Sequence, residues 1–201
     1  MNKLILATAA AAAICAAAPT LAMAQDQTAS QDGVYGDLGW SHSTTNGAST
    51  EGIQGRVGGR FGRYFGVEGE LRGGLSTGHT TLNYTTGTPP VTTPIASGVK
   101  QSLAGAAYAV GFLPIGPNFD LLARVGYGAS RYNLTPSGVA AAHANEHGIR
   151  YGAGAEYFLD GTNGLRVDWT REQMSNFHVP TGLAATNHAN VWAVSFVHRF
   201  R

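Results

Sequence analysis

Val194-Ser195-Phe196-Val197-His198-Arg199-Phe200-Arg201 closes the sequence and reads as a β-strand. Together with the residues just before it, Trp192, Val194, Phe196 and Phe200 fall on one face, and Val191, Ala193, Ser195 and Arg199 on the other. The backbone donors and acceptors of such a terminal strand need a neighbour. Pairing with the first strand of a closed barrel supplies one. The terminal segment therefore predicts closure, and the rest of the sequence has to provide the remaining staves.

The opposite end reads as an export signal. Lys3 is followed by an alanine-rich apolar run over residues 4–18, and Ala22-Met23-Ala24 places small residues where a signal peptidase reads them. Residues 1–24 are expected to be a cleaved leader and residues 25–201 a single exported domain. Pro19 interrupts the apolar run before it reaches the ~20 residues of a membrane-spanning helix. A lipid-anchored cysteine would have to be Cys15, but bulky Ile14 precedes it. Loss of Cys15 with the leader leaves no thiol, so the domain is expected to fold without disulfides. The whole chain carries thirteen Lys and Arg against twelve Asp and Glu, and losing Lys3 balances them. A neutral chain argues against a nucleic-acid partner.

Between the two ends, apolar residues recur at period two, not at helical spacing. Seven further strands are expected over residues 33–42, 51–61, 65–75, 100–113, 119–132, 147–159 and 165–174. Leu38 and Trp40 oppose Asp37 and Ser41; Ile53, Val57 and Phe61 oppose Gln54, Arg56 and Arg60; Val67 and Leu71 oppose Glu68, Glu70 and Arg72. Leu121, Ala123 and Val125 oppose Leu122 and Arg124, Ile149 and Tyr151 oppose Arg150, and Val167 and Trp169 oppose Arg166 and Asp168. On the segment 100–113 the pattern is weak, and its expected outward set is Ala106, Tyr108, Val110 and Phe112. Connections after Phe61, Leu113 and Leu159 are short. Those after His42, Leu75, Tyr132 and Met174 are longer and polar, including 76–99, rich in Thr, Pro and Gly.

Eight strands of about ten residues, with short turns on one rim and long loops on the other, fit an antiparallel transmembrane barrel. The two faces decide which side meets lipid. Aromatics such as Trp40, Phe61, Phe65, Tyr157, Trp169 and Phe200 cluster near strand ends on the apolar face, as two girdles would. The other face carries the arginines and carboxylates, so the polar side is the lumen. A secreted lipocalin-type barrel would use the apolar face as its core, but the disulfides and long aliphatic strands of that type are missing.

Four short stretches carry a family resemblance: Phe61-Gly62-Arg63-Tyr64-Phe65-Gly66-Val67-Glu68-Gly69-Glu70, Ala123-Arg124-Val125-Gly126-Tyr127-Gly128, Gly154-Ala155-Glu156-Tyr157 and Ser195-Phe196-Val197-His198-Arg199-Phe200. With them the chain resembles the small outer-membrane β-barrels of Gram-negative bacteria, the OmpA/OmpX-type eight-stranded barrels and their porin-like relatives. The resemblance implies a cell outer-membrane location and contact with outer-membrane lipid and lipopolysaccharide. It also implies recognition by the barrel-assembly machinery through Phe196, His198 and Phe200. In that family the final residue is usually the aromatic; here Arg201 follows it.

Function is expected to be structural, or surface interaction through a ligand of the extracellular loops, non-enzymatic and without a cofactor. Arg56, Glu68, Glu70, Arg72, Arg124, Arg150, Glu156, Arg166, Asp168 and Glu172 are expected to form an ion-pair network filling the lumen. The competing reading is a small porin-like channel for water or small polar solutes, for which Gly126, Gly128, Gly152 and Gly154 would leave room. A lipid A-modifying enzyme is the third; Ser175, Asn176 and His178 stand near Glu172, in an order unlike that of the deacylases. His143 and His147, flanking Glu146, are the candidate metal ligands, against the plainer reading of polar loops that collect histidine.

Overall fold

The computed structural model describes residues 32–87, 90–138, 141–174, 183–184 and 187–200. The expected leader, its cleavage site and Arg201 lie outside these residues. Ten strands follow one another: β1 (Gly33–Thr45), β2 (Ala48–Phe61), β3 (Phe65–Gly74), β4 (Gly78–Thr86), β5 (Val91–Pro114), β6 (Phe119–Pro136), β7 (Ala142–Phe158), β8 (Asn163–Gln173), β9 (Leu183–Ala184) and β10 (His188–Phe200). Eight of them are barrel staves. β3 pairs directly with β5, bypassing β4, and β10 pairs with β1 from Val34–Phe200 up to Thr45–Ala189. The terminal strand thus closes the barrel, and all of its pairings are antiparallel.

Register sets the shape. Followed once around the barrel, partners run Tyr35, Gly58, Glu68, Tyr108, Gly126, Arg150, Glu172, Ala189 and return to β1 at Thr45. The path that left residue 35 comes back at residue 45, a shear number of 10. For eight staves that corresponds to a strand tilt of about 40°. Each register step climbs by about one and a quarter residues relative to the barrel axis. Corrected for that climb, Trp40, Tyr127, Tyr151, Trp169 and Trp192 sit at one height and form the upper girdle.

The faces are inverted relative to a water-soluble protein. Leu38 is 62% exposed and Phe65 70%, whereas Arg56 is 3% exposed and Arg166 is fully buried. Such an apolar outer band belongs against lipid, and the charged face belongs in the lumen. The lower rim carries the tight connections after β2, β5 and β7. In the last of these, Asp160 accepts hydrogen bonds from the Asn163 side chain and from the backbone N–H groups of Asn163 and Thr162, which hold its carboxyl down at about 2.

Above the upper girdle the structure corrects several expectations. Residues 43–50 are not a loop: β1 and β2 continue to a two-residue turn, Asn46-Gly47, with φ of 53° and 76°. Those left-handed angles are what Asn-Gly adopts most readily in a hairpin of this hand. Residues 76–99 contain β4 and the upper part of β5, and residues 133–146 are mostly continuations of β6 and β7. These segments stand above the lipid, so their outward faces meet water and carry no apolar stripe, yet their β-branched threonines suit strands.

β5 also has the opposite facing to that expected. Ala106, Tyr108, Val110 and Phe112 point inward, at 2–5% exposure, while Leu103 and Leu113 face out. Alanine and glycine on both parities gave little hydropathy contrast. The lumen decides instead: the Tyr108 ring lies 5.0 Å from the Arg124 guanidinium and the Phe112 ring 4.3 Å from that of Arg60. Cation–π contact of this kind is favoured away from water.

Candidate functional site

Two parts of the molecule bear chemistry, the filled lumen and the wall that rises above the upper girdle. In the lumen β2 supplies Arg56, β3 supplies Glu68, Glu70 and Arg72, β6 supplies Arg124, β7 Arg150 and β8 Arg166, Asp168 and Glu172, each at an inward register position. Asp168 is the hub. Arg56 donates to both of its carboxylate oxygens at 2.9 Å, Arg124 donates to Oδ1, and Arg166 lies 3.6 Å away. Arg56 also donates through Nε to Glu70 at 2.8 Å and through a terminal nitrogen to Asp37 at 3.4 Å. Arg166 donates to Glu68, which also accepts from the Tyr35 hydroxyl at 2.8 Å.

Toward the upper end, Glu172 accepts from Arg72 and lies 3.2 Å from Arg150; Arg72 Nε donates to Gln101 at 3.0 Å. Glu156 is the member the structure sets apart. Its partner is Arg199 at 3.2 Å, in a lower cluster where Arg199 and Arg60 donate to Asp120 at 2.9 and 2.7 Å. Asp37, Arg60, Asp120 and Arg199 therefore complete the arrangement and were missing from the expected set. Strand parity was the signal for them, since each shares the inward face of its stave.

The inward glycines lie close against the neighbouring staves. A Cβ on Gly126 would lie 2.0 Å from the Ala107 carbonyl oxygen and 2.7 Å from the Tyr108 ring. On Gly128 it would meet Arg150 Nε at 2.5 Å, on Gly152 the Trp169 carbonyl at 2.1 Å, and on Gly154 Asp168 Cβ at 2.6 Å. The space these glycines free is occupied by Arg150, Tyr108, Thr170 and Asp168 from neighbouring staves. Apolar groups add to the lumen's lining. Ala48, Val99, Tyr132, Leu134, Ala144, Met174 and Ala189 form a buried cluster at its upper end. Below the hub, the Arg199 guanidinium lies 3.4 Å from the Phe158 ring centroid.

Glu146 stands out among the lumen carboxylates. Among the described residues, seven of the eight buried acids have an arginine within 4 Å; Glu146 has none in the ion-pair geometry, and neither of its oxygens has a hydrogen-bond partner there. It lies above the upper girdle, outside the membrane-spanning part of β7. Burial, reinforced by Glu172 and only partly offset by Arg150, pushes its carboxyl up to about 8.

The histidines flanking it do not converge with it. His143 and His147 face outward on β7 while Glu146 points inward. Four residues of extended chain separate the two imidazoles' positions by about 13 Å, too far to share one ion. His143 Nδ1 donates to Asn133 at 2.8 Å, and His147 Nδ1 lies 2.6 Å from the Tyr127 hydroxyl. Among the described residues no group of three His, Cys, Asp or Glu side chains is placed to hold a metal ion. Ser175, Asn176 and His178 lie outside the described residues, and Glu172 points into the lumen. At the terminal strand Phe196 and Phe200 are half-exposed on the lipid face. The His198 ring packs on Phe200 with centroids 4.9 Å apart, and its Nδ1 donates to Asn163 at 2.7 Å.

Comparison with known proteins agrees with this architecture. The family described as "Outer membrane protein beta-barrel domain" matches residues 7–200. Among solved structures, the chain is similar to Ail, the attachment invasion locus protein of Yersinia pestis, in complex with the heparin analogue sucrose octasulfate. That pair has 13% identity and a TM-score of 0.53, covering 84% of this chain and 99% of the other. Neisserial surface protein A is similar at 11% identity and a TM-score of 0.52, covering 87% and 100%. OprG of Pseudomonas aeruginosa is similar at 12% identity and a TM-score of 0.53, covering 84% and 96%. At these identities the structures share the fold. No curated protein matches the sequence closely enough to count as a relative.

Proposed function

The chain belongs to the outer-membrane protein β-barrel family, and we propose that its barrel is a closed pedestal in the outer membrane that presents a β-walled surface to extracellular ligands. One observation carries this reading. The lumen is packed with paired charges and capped by an apolar cluster, while β5, 24 residues long, runs well beyond the upper girdle together with β4, β6 and β7. A membrane crossing needs strands of only 9–11 residues. The surplus length builds an exposed sheet above the membrane, and long surface elements of this kind are where barrels carry their binding functions. The Ail complex with a sulfated ligand shows that a barrel of this fold can carry such a ligand.

Planar-bilayer recording and a hairpin replacement test the proposal together. Purified protein is expected to give no reproducible conductance steps. Replacing residues 82–95 by a short Gly-Ser link is expected to leave a heat-modifiable barrel while abolishing attachment of expressing cells to immobilised sulfated glycan. Steady single-channel steps from the unaltered protein, or undiminished attachment after the replacement, would refute it.

A further inference from the structure

The lumen carries one negative charge that its arginines do not match. Among the described residues eight carboxylates point into it against seven guanidiniums, counting the partly exposed Arg199. The surplus acid is Glu146, 2% exposed, with neither oxygen in a hydrogen bond among the described residues. Corrected for the climb of the register path, Thr45, Ala48, Gln101, Tyr132 and Met174 stand within about one residue's rise of it. Together these side chains ring the upper mouth of the lumen. Gln101 is fully engaged: its oxygen accepts from Arg72 at 3.0 Å, and its amide donates to Tyr132 at 3.2 Å and Ser130 at 3.4 Å. Thr45 is 5% exposed, and its hydroxyl has no partner among the described residues.

A lone buried carboxylate either keeps its proton or takes a cation. Ionised, Glu146 leaves the lumen one charge negative, which a single monovalent cation balances. A divalent ion would leave positive charge in excess near Arg150 and Arg72. Metal ions such as Ca²⁺ or Mg²⁺ also take about six oxygen ligands, and the described residues place no group of three His, Cys, Asp or Glu side chains for one. An ammonium group needs less. Its three N–H donors are met by the two Glu146 oxygens and the Thr45 hydroxyl. Ala48, Tyr132 and Met174 belong to the buried apolar cluster at this level, which suits the methylenes of an alkyl chain and offers nothing to a hydrated metal ion.

We infer that the upper mouth of the lumen is a binding site for an unbranched primary ammonium ion, with Glu146 as its counter-charge and Thr45 as a further acceptor. The ligand enters from the extracellular side, and its chain points back toward water past Leu134 and Ala144, the register neighbours next above on β6 and β7. Binding is coupled to protonation. Glu172 on β8, Tyr132 on β6 and Arg150 on its own strand are the ionisable groups that interact with Glu146. Burial, reinforced by Glu172, keeps its carboxyl protonated up to about pH 8. At pH 7 the ammonium therefore displaces the carboxyl proton, which leaves to solvent. The site lies inside the mouth and is separate from the hairpin surface proposed above.

The test titrates the folded full barrel in phosphatidylcholine vesicles with n-butylammonium chloride in a calorimeter, with sodium chloride and tetramethylammonium chloride as controls. Two buffers of different ionisation enthalpy count the protons. Wild-type protein is expected to bind n-butylammonium with about one proton released per ion at pH 7 and almost none at pH 9. An ordinary surface carboxylate is already ionised at pH 7 and releases none. Glu146→Gln is expected to bind at least about 10-fold more weakly, from the usual strength of charge-assisted hydrogen bonds, and to release no proton. Thr45→Val is expected to weaken binding while keeping the proton release, and heat-modifiable migration verifies that each variant is folded. Replacing the 82–95 hairpin should leave ammonium binding intact, which separates failure of this inference from failure of the proposed function. Undiminished binding by Glu146→Gln, or no proton release at pH 7, overturns the site, and unchanged binding by Thr45→Val overturns that residue's part in it. Sodium or tetramethylammonium binding as tightly as n-butylammonium overturns the assignment to a primary ammonium ion.

Discussion

Arg56→Met is the most direct test of how the lumen is held together. Arg56 contacts three carboxylates, Asp168 through two 2.9 Å bonds, Glu70 at 2.8 Å and Asp37 at 3.4 Å. After its removal Asp168 keeps Arg124 and Arg166. Glu70 keeps only guanidiniums at 3.8–3.9 Å, and Asp37 only Arg166 at 3.7 Å. Two buried carboxylates thus lose their nearest cation, and breaking a buried pair in this way costs about 3–5 kcal/mol. Urea unfolding in phospholipid vesicles, followed by gel migration and tryptophan emission, reads that cost as a midpoint lowered by about 2 M for a denaturant slope near 2 kcal/mol/M. Glu70 is the register partner of Arg56 on β3, so the double variant Arg56→Met/Glu70→Leu removes a charge of each sign. It is expected to be more stable than the sum of the two single changes by about 2 kcal/mol. A loss below about 1 kcal/mol for Arg56→Met, or additivity in the cycle, would refute the idea that mutual neutralisation holds the lumen.

Three further outcomes are expected. Glu146 has a folded-state carboxyl near 8 against an ordinary 4.5. The folded state therefore holds the proton more tightly, so the contribution of this group to stability is greatest below pH 4.5 and declines as pH rises to about 8. Glu146→Gln should flatten that slope and exceed wild type by roughly 3 kcal/mol above pH 8, allowing for solvent screening at the mouth; parallel pH profiles would contradict it. Gly126→Ala, whose added carbon meets the Ala107 carbonyl, should cost about 2 kcal/mol in urea unfolding. Gly73→Ala, with nothing within 4 Å, should cost less than that, and equal costs would sink the packing account. Phe200→Ser should lower the amount of barrel assembled in the outer membrane while leaving refolding in detergent unchanged. Normal assembly in cells would remove Phe200 from the assembly signal.

The facing of the staves was legible wherever large apolar residues alternate with charges, as on β2, β3 and β8. Val57 against Arg56 or Val167 against Asp168 leaves one solution. β5 was illegible because alanines and glycines occupy both of its faces, and only the volume required by the closed lumen turned Tyr108 and Phe112 inward. The upper hairpins were misread for a related reason. Thr80, Thr81, Thr85 and Thr92 lie in strands above the lipid, where the outward face meets water and need not be apolar, so little alternation marks them.

Of the lumen charges, sequence could indicate which residues face inward but not which meet. Glu156 and Arg166 are register neighbours, yet Glu156 pairs with Arg199 and Arg166 with Glu68. Long side chains reach across the lumen, and Arg56 meets a carboxylate 112 positions away. Alternation along each strand is a local property, written into the chain at period two, and with the terminal strand it was enough to specify a closed barrel with charges inside. Shear, the partner of each arginine and the unpaired Glu146 were decided only by the tertiary structure. They depend on how eight staves are offset around a ring, a distance relation that no single strand contains.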